Sequence, residues 1–391
     1  MTDTGIDLIL GADSISAPLT GIGRYALELA QHLPREPSIG RIRFYGLGRW
    51  RDAADLELAD TPHPGGGEPP RTLRGTLAAN RLAVRAYATL MPLLQGWQLR
   101  SEDTALFHSP NFFLPPIRGR AVITVHDLSH HVYPEFHPAA RIEYMQRMLP
   151  RSVARANHII TVSASARQDI ITHLGVAPHR VTSIALGAQP QFRPHSQAEL
   201  MPTLARLGLA AQGYTLFVGT IEPRKNVDRL LAAYAQLPLA LRDRYPLVLA
   251  GSKGWHSEAT HANMERAAGQ GWLRYLHFVS QADLPALYAG AALFAYPSLY
   301  EGFGLPVLEA MACGVPVVTS DRSSLPEVVG DAAQCVNPQD TDALTAALSR
   351  GLQDQPWRIQ ARERSLARAS TFNWQRCAHQ TVQVYKAVLS Q

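Results

Sequence analysis

Two glutamates flank a glycine-containing turn in the second half of the chain, with Glu301 before the turn and Glu309 eight residues later. Ionised carboxylates accept strong hydrogen bonds from hydroxyl groups, so this pair could bind a sugar. Pro306 favours the start of a helix directly after the turn. The N–H groups of Gly304 and Leu305 would then lie at a helix N-terminus, which is a natural phosphate site. For an isolated pair of glutamates, the alternative is that Glu301 is solvated and Glu309 only interacts favourably with the helix dipole. The glycines and the proline between the two residues argue against this alternative.

Two adjacent cations, Arg224 and Lys225, follow the strand-like stretch 214–218. A loop with two positive charges can neutralise a diphosphate as it becomes the leaving group, and such stabilisation is usually the largest catalytic term. Cations at a helix N-terminus oppose the helix dipole. A buried anion nearby therefore explains this pair better than a simple helix cap does.

The first half of the chain carries two weaker motifs. Residues 21–25 include Gly23 but form no complete dinucleotide fingerprint, and they could equally be a tight turn. His126 follows the strand-like stretch 121–125 and would face the mouth of a cleft, where it could bind a sugar hydroxyl. A lone histidine is more often structural, and other histidines lie close to it in the sequence.

No motif predicts a metal or a cofactor. The pair Asp340 and Asp342 has the spacing of a metal-binding motif, but it opens an alanine- and leucine-rich stretch, so helix capping is the better interpretation. The three cysteines are widely spaced, fit neither a disulfide framework nor a zinc site, and indicate a reducing compartment: Cys313, Cys335 and Cys377. The chain lacks a phosphate-binding Walker loop and a serine nucleophile elbow.

Composition predicts a globular protein of two domains, because 391 residues exceed the size at which a single core usually divides. The formal net charge of +5 is modest and no basic block occurs, so nucleic-acid binding has little support. The N-terminus lacks the basic region of a signal peptide, and no apolar run reaches the ~20 residues of a membrane span. We therefore expect a cytoplasmic protein.

Short apolar runs alternate with amphipathic stretches, which is typical of α/β folds with parallel sheets. Strands are predicted in two series, at residues 6–10, 121–125 and 158–162, and then at 214–218, 247–250, 276–279, 293–296 and 315–318. Residues 187–194 contain prolines without periodicity and look like a linker. Ligands of such folds bind beyond the carboxyl ends of strands. The predicted fold class is α/β, with two Rossmann-like domains facing a central cleft.

The stretch 71–100 contains five arginines, no acidic residue and many leucines. It could lie on an anionic membrane surface, or it could pack on the first sheet with solvated arginines. Pro92 would interrupt any single long helix.

The motifs at 219–226, 300–304 and 323–328 resemble those of the GT-B glycosyltransferases of family four, and the resemblance covers nearly the whole chain. It implies a retaining, metal-independent enzyme that uses a nucleotide-sugar donor. The implied domains are an N-terminal Rossmann-like acceptor domain, a C-terminal Rossmann-like donor domain and a helix that crosses back, at residues 1–190, 195–370 and 371–391.

The resemblance also implies a role for each motif residue. Glu301 would contact the donor sugar, Glu309 the ribose, and the loop after Val279 the base. Many family members have an arginine where this chain has Thr220, and Arg224 would supply that charge from a different angle. The implied catalytic residues are His126, beside the transferred sugar, and Glu301. The implied donor-binding residues are Gly23, Arg224, Lys225, Val279, Glu301, Phe303, Gly304, Leu305 and Glu309.

Three N-terminal motifs, at residues 21–25, 108–110 and 125–128, are similar to those of bacterial mannosyl- and rhamnosyltransferases of O-antigen and exopolysaccharide assembly. This similarity implies transfer of mannose from GDP-mannose to a lipid-linked glycan. The membrane alternative for residues 71–100 would place the protein on the cytoplasmic face of the inner membrane. Four alternatives remain: a GDP-rhamnose- or UDP-sugar-dependent relative, a glycogen-synthase-like enzyme, a nicotinamide-dependent dehydrogenase and a non-catalytic nucleotide-sugar-binding protein.

Overall fold

The computed structural model describes residues 5–17, 19–57 and 81–391, with the side chains of residue 57 and residues 81–89 left out. These residues form two compact units. The N-terminal unit contains the described residues up to 186 together with residues 374–391, and the C-terminal unit contains residues 187–373.

The N-terminal unit is built on a seven-stranded sheet with the order β3-β2-β1-β4-β5-β6-β7. Its strands are β1 (Ile6–Gly11), β2 (Ile39–Gly46), β3 (Arg49–Arg51), β4 (Leu106–Ser109), β5 (Ala121–Thr124), β6 (His158–Thr161) and β7 (Val181–Ser183). All paired strands run parallel except β2 and β3. Every residue of β4, β5 and β6 is buried, as expected for parallel strands that are covered on both faces.

In the part of this unit before residue 187, helices connect these strands. They are α1 (Gly21–His32), α2 (Ala53–Glu57), α3 (Arg81–Gln98), α4 (Ser129–Val132), α5 (Ala139–Arg155) and α6 (Ala164–Leu174). The expectation that Pro92 interrupts any single long helix is wrong, because α3 continues through it. A proline inside a helix costs about 3 kcal/mol, and packing beyond it offsets that cost. Gln98 accepts a hydrogen bond from the Tyr45 hydroxyl, and Gly96 lies against Pro116.

The C-terminal unit has a six-stranded parallel sheet with the order β10-β9-β8-β11-β12-β13. Its strands are β8 (Thr215–Val218), β9 (Leu247–Ala250), β10 (Leu273–Tyr275), β11 (Leu293–Tyr296), β12 (Val317–Ser320) and β13 (Gln334–Val336). Its helices are α7 (Gln197–Leu207), α8 (Val227–Ala235), α9 (Leu239–Arg244), α10 (Glu258–Gly269), α11 (Leu284–Ala289), α12 (Leu305–Ala312), α13 (Leu325–Val329), α14 (Thr341–Gln353) and α15 (Gln355–Ala369).

Two strand predictions in this unit need correction. The strand predicted at 276–279 is wrong: β10 ends at Tyr275, and His277 has a φ of 54°, in the left-handed region that interrupts a strand. The strand predicted at 315–318 begins two residues later, at Val317. Pro316 has no N–H for a ladder bond, and its carbonyl accepts one from Phe294.

The last helix, α16 (Trp374–Leu389), belongs to the N-terminal unit, where it packs against α1. Its buried face includes Trp374, Cys377 and Tyr385. Among the helices of the described residues, none is long and apolar enough to cross a membrane.

Candidate active site

The loop after β8 presents the two cations of the C-terminal unit. A short 3-10 helix, Pro223–Lys225, follows the strand, and Asn226 then adopts a left-handed conformation with φ 58° before α8 begins. The Asn226 side-chain amide donates to the carbonyls of Pro297 and Pro338 at 3.1 and 2.7 Å. Asn226 thus attaches the cation loop to the start of the glycine turn.

The glycine turn leads into α12 as the sequence predicts. Gly304 has a φ of 104°, and a Cβ at this position would lie 2.7 Å from Leu325 Cδ2. Glycine is required there, because side-chain-bearing residues rarely adopt this conformation. The N–H groups of Gly304 and Leu305 precede or open α12, where N–H groups have no partner within the helix.

Two serines hold the turn in place. The Ser323 hydroxyl accepts a hydrogen bond from the Glu301 N–H at 2.8 Å. The Ser324 hydroxyl lies 3.0 Å from the Glu301 carbonyl and 2.8 Å from the Phe303 carbonyl. The backbone that carries Glu301 is therefore fixed by the two residues that directly precede α13.

The two predicted cations converge on Glu301. Lys225 Nζ lies 2.5 Å from Glu301 Oε1 and donates to the Tyr296 hydroxyl at 2.6 Å. Arg224 Nη1 lies 2.9 Å from Glu301 Oε2. Arg224 also donates through Nη2 to Glu222 Oε1 at 2.7 Å. These two carboxylates and two cations balance, so the cluster is formally neutral.

Burial and pairing set the protonation of this cluster. Glu301 is 7% exposed. Burial alone would raise the pKa of its carboxyl, but the charges of Arg224 and Lys225 lower it to about 2. Burial and Arg224 lower the pKa of Lys225, and Glu301 opposes this. Burial and the Glu301 charge raise the pKa of Tyr296 well above its ordinary value. Glu301 is thus an ionised acceptor at neutral pH.

The other predicted donor-binding residues of this unit surround the turn less closely. Phe303 is buried and packs edge-on against Phe372, and Glu309 lies one turn into α12 and is half-buried. Burial raises the pKa of Tyr288, and the Glu309 charge raises it further, so these two side chains are close. Val279 is buried beyond the end of β10.

In the N-terminal unit, His126 is held from three sides. Its Nε2 lies 2.8 Å from the Pro110 carbonyl, and its ring packs against Tyr25 and Phe112 at centroid distances of 5.0 and 5.7 Å. A carbonyl only accepts, so Nε2 carries the proton. Burial lowers the pKa of His126, and the bond to Pro110 and the charge of Asp127 oppose this. The ring is therefore neutral near pH 7, and Nδ1 is an acceptor for a hydroxyl.

Gly23 lies in the first turn of α1, where its N–H donates to the Thr20 hydroxyl at 3.1 Å. A Cβ on Gly23 would lie 2.6 Å from the Ser14 carbonyl. This close packing by itself favours a glycine, and residues 21–25 form the start of α1 instead of a tight turn before the helix.

Comparison with known proteins identifies the family. Residues 19–192 match the family model described as Glycosyltransferase Family 4, and residues 208–368 match the model described as Glycosyl transferases group 1. An Escherichia coli protein named O-antigen chain mannosyltransferase B is 43% identical over 97% of this chain and 99% of its own length. This chain belongs to glycosyltransferase family 4.

Solved structures show that the glycosyltransferase has the GT-B fold. The Anabaena protein HepE, solved in complex with UDP and glucose, has a TM-score of 0.70 at 19% identity and covers 97% of this chain and 100% of its own. WaaG, a glycosyltransferase involved in lipopolysaccharide biosynthesis, has a TM-score of 0.71 at 18% identity and covers 96% of this chain and 99% of its own. The family makes this protein an enzyme that transfers sugar from a nucleotide-sugar donor to a glycan acceptor. It is therefore neither a nicotinamide-dependent dehydrogenase nor a non-catalytic binding protein.

The structure also places Asp340 and the three cysteines. Asp340 caps α14 by accepting a hydrogen bond from the Ala343 N–H at 2.9 Å, which confirms the capping interpretation. Cys313, Cys335 and Cys377 are free thiols. Within residues 5–17, 19–57 and 81–391, no group of three or more His, Cys, Asp or Glu side chains could hold a metal ion.

Four residues of the glycosyltransferase site were not identified from the sequence: Glu222, Tyr296, Ser323 and Ser324. Glu222 stands two residues before Arg224, so an acidic residue beside a predicted cation was the available clue. Tyr296 is the last residue of a buried strand, where a polar hydroxyl needs a partner. The serines lie more than twenty residues from Glu301, and no sequence pattern shows that they bind its backbone.

Proposed function

We propose that this glycosyltransferase transfers mannose from GDP-mannose to a lipid-linked glycan of a surface polysaccharide, with retention of configuration and without a metal ion. The observation that carries the transfer chemistry is the convergence of Lys225 and Arg224 on Glu301, next to the N-terminus of α12. The choice of mannose and of a surface glycan is supported by the 43% identity to O-antigen chain mannosyltransferase B.

The neutral cluster suggests how the donor is bound. A diphosphate needs positive partners, and Lys225 is paired with Glu301 in this structure. We infer that the diphosphate replaces Glu301 as the partner of Lys225 and is also bound by N–H groups at the start of α12. Glu301 is then released to accept hydrogen bonds from sugar hydroxyls. Arg224 remains bound to Glu222 and to the Tyr300 carbonyl. The Tyr300 carbonyl lies 2.7 Å from Arg224 Nη1.

The chemical step needs no protein nucleophile. The bond between the sugar C1 and the leaving phosphate oxygen breaks, and a bond from C1 to the acceptor hydroxyl oxygen forms on the same face. The acceptor proton passes to the leaving phosphate oxygen. Lys225 stabilises the charge that develops on the diphosphate. His126 accepts a hydrogen bond from a hydroxyl of the transferred sugar through Nδ1, and Glu309 binds the ribose.

A donor screen tests this function. The purified enzyme is incubated with GDP-, UDP-, ADP- and dTDP-sugars and a mannose-terminated lipid-linked oligosaccharide, and products are measured by mass spectrometry. We expect a product one hexose heavier with GDP-mannose and an unchanged rate in EDTA. Turnover only with GDP-rhamnose or with UDP- or ADP-glucose would replace the donor assignment, and loss of activity in EDTA would contradict metal independence.

We also propose that α3 contacts an anionic membrane surface. Residues 71–80 of the basic stretch lie outside the described residues. In the described part, Leu90, Leu93, Leu94 and Trp97 are 59%, 69%, 55% and 65% exposed. Their spacing places them on one face of the helix. The packed-helix alternative would bury these leucines, so exposure favours the membrane alternative.

The basic composition of this stretch fits anionic lipid headgroups. The Arg100 guanidinium lies 5.3 Å from the centroid of the Trp97 ring, and tryptophan is enriched at membrane interfaces. Arg81 and Arg85 belong to the same helix, and residues 71–100 contain no acid. A helix with an apolar face and basic residues binds anionic lipid in the interface plane.

Vesicle co-sedimentation tests this contact. A triple change of Leu90, Leu93 and Leu94 to Ser should abolish binding to phosphatidylglycerol-containing vesicles at low salt, while activity on a soluble acceptor remains. Leu239→Ser is the control, because Leu239 is 68% exposed in the C-terminal unit. Equal binding by the triple variant, or no binding by the unaltered enzyme, would refute the contact.

A further inference from the structure

Four side chains form a continuous polar network inside the N-terminal unit. Tyr385 on α16 places its hydroxyl 2.6 Å from His108 Nδ1 on β4. His108 Nε2 lies 2.8 Å from Thr124 Oγ1 at the end of β5, and the Tyr25 hydroxyl of α1 lies 3.0 Å from the same oxygen. Each of the four residues is at most 1% exposed. The network therefore joins four elements without access to water.

The protonation of His108 makes the bonds of this network depend on one another. Burial and the neighbouring His126 lower the pKa of His108 to about 3. At neutral pH its ring is therefore uncharged, with one nitrogen that donates and one that accepts. If Nδ1 accepts from Tyr385, Nε2 must donate to Thr124. Loss of the Tyr385 hydroxyl thus removes the hydrogen-bond partner that determines which His108 nitrogen donates and which accepts.

Thr124 connects the network to both rings that enclose His126. Its hydroxyl holds Tyr25, whose ring packs edge-on against His126 with an interplanar angle of 87°. Its carbonyl accepts a hydrogen bond from the Phe112 N–H at 2.9 Å, and the Phe112 ring packs on His126 from another position.

The backbone conformation of Phe112 indicates that the residues around His126 are held in one specific arrangement. Phe112 has a φ of 45°, a left-handed conformation that is unfavourable for a bulky residue. Such a conformation persists only where the surroundings determine it, and it is often found at functional sites. A fully bonded buried polar network also fixes a single geometry more strictly than apolar packing does.

We propose that Tyr385 and His108 are positioning residues for His126 and act on it through Thr124 and Tyr25. The C-terminal helix is then part of the structure that orients the His126 ring, in addition to packing on α1. This inference rests on the proposed function only for the role of His126 beside the transferred sugar; the orientation of the ring can be measured without activity.

Removal of one hydroxyl tests the proposal against a matched control. Tyr385→Phe removes the hydroxyl that contacts His108. Tyr234→Phe removes an equally buried hydroxyl in the C-terminal unit, which donates to the Tyr245 carbonyl and lies 2.9 Å from Thr215 Oγ1. We expect Tyr385→Phe to lower kcat about tenfold, because small misplacements remote from the reacting atoms have effects of this size or larger. The KM for donor should stay within about twofold, and Tyr234→Phe should retain kcat.

A double-variant cycle separates positioning from general destabilisation. If Tyr385 acts through His126, Tyr385→Phe should cause no further loss of kcat in a His126→Ala background. Independent losses that multiply, or equal losses in Tyr385→Phe and Tyr234→Phe, would overturn the proposal.

Nitrogen NMR of histidine-labelled protein supplies the readout that needs no activity. The His126 ring signals, assigned by their loss in His126→Ala, should shift in Tyr385→Phe and not in Tyr234→Phe. Unchanged His126 signals would refute positioning. An enzyme without mannosyltransferase activity would refute the proposed function instead, and the NMR result would still decide the role of Tyr385.

Discussion

Lys225 Nζ lies 2.5 Å from Glu301 Oε1, so the cation proposed to bind the donor diphosphate is paired with the carboxylate proposed to bind the donor sugar. Arg224 completes the arrangement from the other carboxylate oxygen, and Glu222 balances Arg224. Paired charges of this kind are costly to separate unless a new partner replaces the old one. For Lys225, the donor diphosphate is expected to be that new partner.

Acid should weaken the fold through Glu301. Burial raises the pKa of its carboxyl, but Arg224 and Lys225 lower it from 4.5 to about 2. A group whose pKa is lowered by folding stabilises the protein above its unfolded pKa, and this contribution is lost as the pH falls toward the folded pKa. The unaltered enzyme should therefore lose on the order of 3 kcal/mol more unfolding free energy than Glu301→Gln does between about pH 5 and pH 2.

Urea unfolding at a series of pH values measures this difference, with Glu363→Gln as the control because Glu363 is exposed. At pH 7, Glu301→Gln should be less stable than the unaltered enzyme, since the buried Lys225 and the partly buried Arg224 lose their shared partner. Parallel pH profiles for the unaltered enzyme and Glu301→Gln would show that the carboxylate is not stabilised by the cations.

Gly304→Ala should damage the turn. Its φ of 104° is unfavourable for alanine, and the added Cβ would lie 2.7 Å from Leu325 Cδ2. Strain of about 1–3 kcal/mol is expected, seen as a lower melting temperature and weaker GDP binding. Gly269→Ala is the matched control in the same unit, because a Cβ there meets nothing within 4 Å. Equal behaviour of the two variants would contradict the requirement for glycine at 304.

Lys225→Met should weaken binding of GDP by about 10- to 100-fold, since a hydrogen bond to a charged group is worth roughly 1.5–3 kcal/mol. Isothermal titration calorimetry measures this directly. Lys253→Met controls for the removal of a lysine, because Lys253 is exposed. An unchanged dissociation constant in Lys225→Met would remove Lys225 from the diphosphate site.

Much of the fold could be predicted from the sequence, because its determinants are local. Residues 158–161 form a strand that is buried throughout, and such strands appear in a sequence as short apolar runs. Pro306 and the left-handed Gly304 place the start of α12 correctly. The strand predicted at 276–279 failed because its apolar composition suits a strand, whereas the left-handed backbone of His277 is not visible in residue type.

The ion pairs and hydrogen bonds of the site join residues that lie far apart in the sequence, so the sequence alone does not predict them. Lys225 and Glu301 are 76 residues apart, and His108 and Tyr385 are 277 residues apart. Residue types predicted that cations and carboxylates act at the carboxyl ends of strands. They could not show that these groups neutralise each other, because that depends on which loops the sheet order brings together.

Calorimetric titration of GDP into Glu301→Gln tests the exchange of partners most directly. GDP carries the diphosphate but no sugar, so loss of the carboxylate should free Lys225 without removing a ligand contact, while Arg224 stays bound to Glu222. We predict that Glu301→Gln binds GDP more tightly than the unaltered enzyme, by about tenfold for one charge-assisted bond that no longer has to be broken, while sugar transfer is lost. Weaker GDP binding by Glu301→Gln, in parallel with Lys225→Met, would contradict the exchange.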